Sequence, residues 1–486
     1  MKFLHLLLLF TFCSQLQAQP CREVVAFYPS WKWYDRGRLV NPSTIDYSKY
    51  TVINYAFLKP EEDGSISLFD PLADKTNLLG EVAPGVIKSY QTSKEVNRYW
   101  HIPGTSLIDK AHKNGVKVFI SIGGWTMSEN FSIIAENPEK RRRFAESCAD
   151  LVRTYRIDGI DIDWEYPGYK AQNGSAADKE NFTLMLQEIR YVFDVLQHEM
   201  GKKIWLSADF GAGKSHAAQI EWEKVSPLLD HINIMTYDFY GSTPSRTNHH
   251  SPLYPPRKGM DGYDLDSSVR NLIEKHNVPP SKINIGLAFF GRSLRTKGEA
   301  GIHTASHRSV DEKTFAADHG APAYYNILAS QHLFYYHWDE YAETPYLSGK
   351  NLNTFVTFDD ENSIRKKGKY ILDNGLCGAI VWDIMSDCVE NKNKPGTIEK
   401  TPLASALKES LCQQEEMFAF TQTVQGSNPL EPLPQQWLPL TRRTFAPRLA
   451  HQEKAISKKE KRKIKKRNKK KKDKRTVPKR YFDGGW

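Results

Sequence analysis

Residues 158–165 read Asp158-Gly159-Ile160-Asp161-Ile162-Asp163-Trp164-Glu165. Side chains of an extended strand alternate between its two faces, so Asp161, Asp163 and Glu165 share one face and Ile160, Ile162 and Trp164 the other. Asp158 is out of phase with them and is expected where the strand begins. Same-face neighbours stand about 6.5–7 Å apart along a strand, and Glu165 is the acid nearest its C-terminal end. In an isolated amphipathic strand these acids would simply face water. What decides their meaning is whether both faces are covered.

The rest of the chain says that they are. Runs rich in β-branched and aromatic residues recur at 24–31, 50–58, 116–124, 157–165, 204–210, 231–239, 283–291 and 378–383. Helical patterns lie between most of them, including 139–155 and 178–200, the latter with Asp178 as its expected N-cap. Eight near-continuously apolar strands alternating with helices indicate a parallel sheet covered on both faces. Closure into a (β/α)8 barrel is the simplest solution, and an open doubly wound sheet is the alternative. Residues 293–356, between the seventh and eighth runs, are too long for one helix and are expected to form a small inserted α+β subdomain.

Inside a barrel, three unpaired acids would be very costly. Like charges that close cannot all ionise, so at least one pKa must rise. A carboxyl with a raised pKa at the C-terminal rim, where barrel enzymes carry their chemistry, is what general-acid catalysis requires. Carboxylates also bind Ca²⁺ or Mg²⁺, but these are spread along one strand rather than wrapped around a point, so no metal and no cofactor are expected.

The segment Asp158–Gly168, DGIDIDWEYPG, closely resembles the signature of family 18 glycoside hydrolases, the chitinase family. Other segments resemble the same family in the same order: Ser121-Ile122-Gly123-Gly124-Trp125 on the third strand, Met235-Thr236-Tyr237-Asp238 on the sixth, Gly291-Arg292 after the seventh and Trp382 on the eighth. The resemblance covers roughly residues 22–390. It implies a retaining, substrate-assisted hydrolysis of β-1,4 bonds between N-acetylglucosamine units. Glu165 would protonate the glycosidic oxygen, and the substrate's own acetamide would be the nucleophile. Asp163 would orient that acetamide, Asp161 would share a proton with Asp163, and Tyr237 would hydrogen-bond the acetamide oxygen. Trp382 would floor the scissile sugar. Trp31, Trp125 and Phe57 are candidates for neighbouring subsites, and Trp164 is expected in the core. Met235 either lines the pocket or packs in the core, and Arg292 either contacts sugar hydroxyls or pairs with an acid. Asp238 and Asp158 complete the candidate substrate-binding set.

Three positions depart from the family pattern: Phe290 where a tyrosine is common, Tyr324-Tyr325-Asn326-Ile327 without the usual acid, and Ala26-Phe27-Tyr28 in the first strand. None touches the acid row. The same resemblance leaves two rival activities, an endo-β-N-acetylglucosaminidase acting on N-glycans and a weakly active or inactive chitin-binding lectin. Lectins on this fold typically lose the acid, whereas Glu165 is present. Ala208–Ser215 imitates a phosphate-binding loop, but its first position is Ala208 instead of Gly. By resemblance it belongs to the fifth strand and its loop.

The charge is unevenly divided. Residues 451–486 carry 17 Lys/Arg against 4 Asp/Glu, while the other 450 residues carry 50 against 53. The basic pI therefore belongs to a tail, and no specific nucleic-acid partner is implied. The tail is expected either to attach the chain to an anionic surface or polymer, or to be a solvated extension. Residues 413–450, rich in Gln, Pro and Thr, read as a linker, which leaves 19–412 as the catalytic domain. Residues 1–18 read as a secretory signal peptide, giving a secreted protein, extracellular or periplasmic. After residue 12 no apolar run reaches the ~18 residues of a membrane span, so no transmembrane segment is expected. Asn130, Asn173 and Asn181 occupy glycosylation sequons. Beyond Cys13, five cysteines remain: Cys21, Cys148, Cys377, Cys388 and Cys412. An odd number leaves one unpaired within the chain, and a disulfide among Cys377, Cys388 and Cys412 is one possibility. The expected partners are chitin or N-acetylglucosamine oligomers, bound by a monomer.

Overall fold

The computed structural model describes residues 22–412 apart from 83–99, 102, 242, 261 and 312. The expected signal peptide, Cys21, the expected linker and the basic tail lie outside the described residues. Eight strands form the centre: β1 Glu23–Pro29, β2 Val52–Pro60, β3 Lys117–Gly123, β4 Gly159–Asp163, β5 Trp205–Gly211, β6 His231–Met235, β7 Ile283–Ala288 and β8 Gly378–Trp382. Each pairs in parallel with the next, and β8 pairs in parallel with β1, so the sheet closes into a (β/α)8 barrel. The open-sheet alternative is excluded by that β8–β1 pairing.

Every apolar run of the sequence overlaps one of these strands, but several strands stop short of the C-terminal end of their runs. β6 ends at Met235 and β7 at Ala288, because the residues beyond them turn into the rim loops that carry the site.

The outer layer follows from helical spacing. Helix Pro138–Tyr155 buries Phe144, Cys148 and Val152, spaced at four-residue intervals, and Asn137 caps it by accepting from Glu139 N and Lys140 N. Helix Asp178–Met200 buries Phe182, Leu186, Ile189 and Phe193. Its N-cap is Ala177, not Asp178. Asp178 is fully buried and accepts instead from Gly168 N, Ser175 N and Ser132 Oγ, which ties the loop after β4 to the helix beneath it.

Between β7 and β8 the chain builds a five-stranded antiparallel sheet from Arg292–Thr296, Ser306–Val310, Phe334–Asp339, Thr344–Gly349 and Thr354–Thr357, together with helix Tyr324–Ser330. It begins right after the C-terminal end of β7, so it stands at the rim where the acid row emerges. Beneath it, Lys367 and Asp359 form a fully buried ion pair at 2.7 Å, and Lys367 Nζ also donates to Ser251 O and Oγ at 2.8 Å. Because a buried charge needs all of its partners, this pair anchors the loop that carries His249 and His250.

Cys412 is disulfide-bonded, whereas Cys148, Cys377 and Cys388 are free thiols. The bridge considered among Cys377, Cys388 and Cys412 is therefore not formed. Helix Pro402–Cys412 is held at its start by Asp387, whose carboxylate accepts from Leu403 N at 3.0 Å and Ala404 N at 2.8 Å. Asp387→Ala strands two buried donors and is expected to cost about 2 kcal/mol. Urea unfolding with unchanged slope measures it, and an unchanged midpoint would show that these bonds contribute nothing.

Candidate active site

The acid row runs up the inside of the barrel along β4. Asp161 is fully buried in a polar layer made by its strand neighbours. It accepts from Ser121 Oγ at 2.8 Å, from Ser207 Oγ, and from Asn233 Nδ2 at 3.2 Å. Asp163, 3% exposed, is one level higher, and its Oδ1 has no hydrogen-bond partner. Its pKa is pushed far above the ordinary carboxyl range by burial first, then by the charges of Glu165 and Asp161. Glu165 lies two residues past the end of β4, half-buried at the rim. Burial raises its pKa to about 7, and the charge of Asp238 adds to the rise. Hydrogen bonds from the Tyr166 hydroxyl and the Trp125 backbone N–H act in the opposite direction.

The loop after β3 fixes Glu165. Ser128 Oγ donates to Gly124 O at 2.9 Å and accepts from Glu165 N at 2.9 Å. Gly124 is required here: its φ is +83°, and a Cβ would come within 2.4 Å of the Phe57 ring. Trp125, 49% exposed, follows it and packs against Tyr169 at 5.8 Å between ring centres.

Across the rim, Tyr237 and Asp238 follow β6. Burial raises the Tyr237 pKa, and the nearby carboxyls of Asp209, Asp163 and Glu165 raise it further, so its hydroxyl is a secure proton donor. Gly286 lets it pack close, since a Cβ there would stand 2.8 Å from Tyr237 Cε1. For Asp238, burial works to raise the pKa, but the Arg292 guanidinium holds it well below the usual carboxylate range. That pair is bidentate, Nε to Oδ1 and Nη2 to Oδ2 at 2.6 Å each. Arg292 therefore pairs with an acid, one of its two expected roles. Asp238 stays ionised near Glu165 and helps Glu165 to keep its proton.

The floor is aromatic. Trp382 at the end of β8 lies 5.2 Å from Phe27, 5.8 Å from Phe57 and 6.2 Å from Trp31 between ring centres. Trp31, Trp382 and Met235 are partly buried and pack on the cluster formed by Phe27, Phe57 and Met127. Phe57 is itself buried, so it supports the two tryptophans instead of offering its own open surface. Trp164 points the other way, stacked on Phe131 at 5.5 Å in the outer core.

One expected residue is not brought here. Asp158 precedes β4 at the opposite end of the barrel, where it bonds His112 Nε2 at 2.7 Å, Val118 N at 2.9 Å and Lys202 Nζ at 3.2 Å. Its place is structural, and it does not belong to the substrate-binding set. The motif of four acids is continuous in sequence, but seven residues of extended chain separate Asp158 from Glu165 by roughly 20 Å.

The sequence reading also missed members of the site. Asp209 on β5 is 3% exposed and joins the buried acids. The alternation of Trp205, Ser207 and Asp209 against Leu206, Ala208 and Phe210 was the signal for it. Lys32 and Asp383 form an ion pair at 2.7 Å next to the tryptophan floor, and nothing local in the sequence links residues so far apart.

The model for Glycosyl hydrolases family 18 matches residues 23–387 of the chain. Chitinase A1 of Niallia circulans is 31% identical over 413 residues, covering 78% of this chain and 59% of that protein. The chain thus spans less than two thirds of that relative's length. Among solved structures, the chitinase ChiA74 from Bacillus thuringiensis superposes with a TM-score of 0.69 at 28% identity, covering 81% of this chain and 70% of that one. A family 18 N-acetylglucosaminidase from Paenibacillus barengoltzii gives a TM-score of 0.61 at 27% identity, covering 80% of this chain and 99% of that one.

Proposed function

The chain belongs to glycosyl hydrolase family 18, and on that premise we propose that it is a secreted chitinase cleaving β-1,4 bonds between N-acetylglucosamine units with retention. The observation that carries the proposal is the rim carboxyl of Glu165, with its pKa raised to about 7, directly above a buried Asp163 whose Oδ1 is unpaired. A group that must give up a proton near neutral pH needs a pKa near that pH.

The arrangement supports the reaction that the family resemblance implies. Glu165 gives its proton to the glycosidic oxygen as the bond to the anomeric carbon breaks. The acetamide oxygen of the same sugar attacks that carbon and forms a cyclic oxazolinium ion. Tyr237 donates a hydrogen bond to the acetamide and holds it in line. Asp163, as a carboxylate, accepts the acetamide N–H and offsets the positive charge that develops there, and that charge in turn opposes the upward push of burial on its pKa. Water then adds to the anomeric carbon while the Glu165 carboxylate takes its proton. Two displacements at one carbon leave the β configuration.

The aromatic surfaces favour a polymer over a single terminal sugar. Trp31 and Trp382 pack together beside the end of β8, and Trp125 and Tyr169 pack together on the loops after β3 and β4. The five-stranded insertion that begins right after β7 would build one wall of a groove, and such a wall favours internal cleavage of a long chain.

The test is product mapping on chitin, on chitin oligomers and on an N-glycoprotein, with product anomers followed by NMR. Initial β-anomer from the oligomers is expected. Release of intact glycans instead would move the activity to N-glycans, and initial α-anomer would end the retaining scheme. Because Glu165 must be protonated to act, kcat/KM should hold steady just below pH 7 and fall as pH rises through about 7. A profile flat to about pH 9 would take the acid role away from Glu165.

A further inference from the structure

The acceptor capacity of Asp161 is filled without Asp163. A carboxylate offers about four lone-pair sites. Ser121, Ser207 and Asn233 each donate to one. The remaining neighbour within hydrogen-bonding reach is the carboxyl of Asp209. Register places Asp209 on the inward face of β5, one inward-facing position above the partner of Asp161. β4 and β5 align Asp161 with Ser207 and Ile162 with Ala208, and the next step sets Asp209 beside Asp163. β5 and β6 align Asp209 with Asn233, but Asn233 gives its Nδ2 to Asp161 and its Oδ1 accepts from Asn284. Neither oxygen of Asp209 has a well-formed bond from a donor group.

Two carboxyls in contact inside a barrel need a proton between them. Asp161 has three other donors, so it is the acceptor, and Asp209 is the group that carries the proton. Among the described residues, the titratable groups facing Asp209 are Asp161, Asp163 and Tyr237, with Tyr166 and His216 lining the same small enclosed space. None is a permanent cation, and burial lowers the His216 pKa so that it stays neutral. Only the side-chain amide of Asn233 works toward an ionised Asp209, and it is outweighed: burial raises the Asp209 pKa first, and Asp161 and Asp163 raise it further.

We propose that Asp209 holds a proton in the resting enzyme and donates it as a hydrogen bond to Asp161, taking the position the family resemblance gives to Asp163. Asp163 is thereby left unengaged from below and free to face the acetamide. Asp209 is a positioning residue: it touches no substrate and acts through Asp161 and Asp163. The inference deepens the substrate-assisted reading and rests on it.

The test compares Asp209→Leu and Asp209→Asn in the full-length protein. Leu removes the donor and reopens Asp161 to Asp163, so kcat on N-acetylglucosamine oligomers should fall about 10- to 100-fold with KM little changed. Asn keeps a neutral donor and should recover kcat to within about fivefold of wild type. The infrared difference spectrum of wild type minus Asp209→Asn at neutral pH should show the band of one protonated carboxyl. A difference carrying only carboxylate bands would overturn the proposal, as would Asn proving as damaging as Leu. The infrared readout needs no turnover: if the enzyme fails on every oligomer, the hydrolase reading falls while the proton on Asp209 is still decided. It also stands if the Leu variant does not fold.

Discussion

Glu165→Gln is expected to lower kcat on N-acetylglucosamine oligomers by about 10²- to 10⁴-fold, with oligomer affinity nearly unchanged. The glutamine keeps the shape and its oxygen can still accept from the Tyr166 hydroxyl and the Trp125 N–H, but its amide has no acidic proton to transfer. The binding surfaces, Trp31, Trp382 and Trp125, are untouched. Single-turnover kinetics together with calorimetric titration of a non-hydrolysed oligomer separate the two effects. Turnover at the wild-type rate would remove Glu165 from the mechanism. A second signature concerns stability. The folded-state pKa of Glu165 stands at about 7 against an ordinary 4.5. Its contribution is thus fully present below the ordinary value and lost as pH rises through about 7. Glutamine cannot ionise, so the variant's unfolding midpoint should exceed that of wild type by a margin that grows across that window and then levels off.

Asp163→Asn is expected to lower kcat by about 10²- to 10³-fold, the range seen when one preorganised partner of developing charge is removed. Asparagine fills the same volume. It can still meet the acetamide N–H through its oxygen, so KM should move by less than about threefold. What it lacks is the negative charge opposite the oxazolinium ion. Asp163 is buried with an unpaired Oδ1, so no other group is poised to take over. Burst and steady-state kinetics on oligomers measure the loss. Equal losses in kcat and affinity would mean that Asp163 serves to bind the substrate and not to stabilise charge formed during reaction.

Much of the architecture was written locally. Each of the eight apolar runs overlaps a barrel strand, because a strand covered on both faces must be apolar throughout its length. The helix at 178–200 has the bounds its periodicity predicted, although its cap shifted by one residue when Asp178 was drawn into bonds with Gly168 and Ser175. The acid row was legible for the same reason: strict alternation in Asp161–Glu165 fixes which side chains share a face. The errors have equally definite causes. Asp158 was joined to the site by its nearness in sequence, but an extended strand carries it to the far end of the barrel. Asp209 was passed over because its neighbours Gly211, Gly213 and Lys214 imitate a phosphate loop, although the alternation of β5 already turned it inward.

By itself the sequence determined the strand count, the handful of acids that must face inward, and the placement of Glu165 at the C-terminal rim, since all three depend on periodicity within one element. Only the tertiary structure decided the protonation pattern and the pairings. Asp238 finds Arg292, Lys32 finds Asp383 and Lys367 finds Asp359 through strand register and loop packing. Burial then sets which of those groups keeps its proton, because the cost of a charge depends on what surrounds it in space and not on its neighbours along the chain.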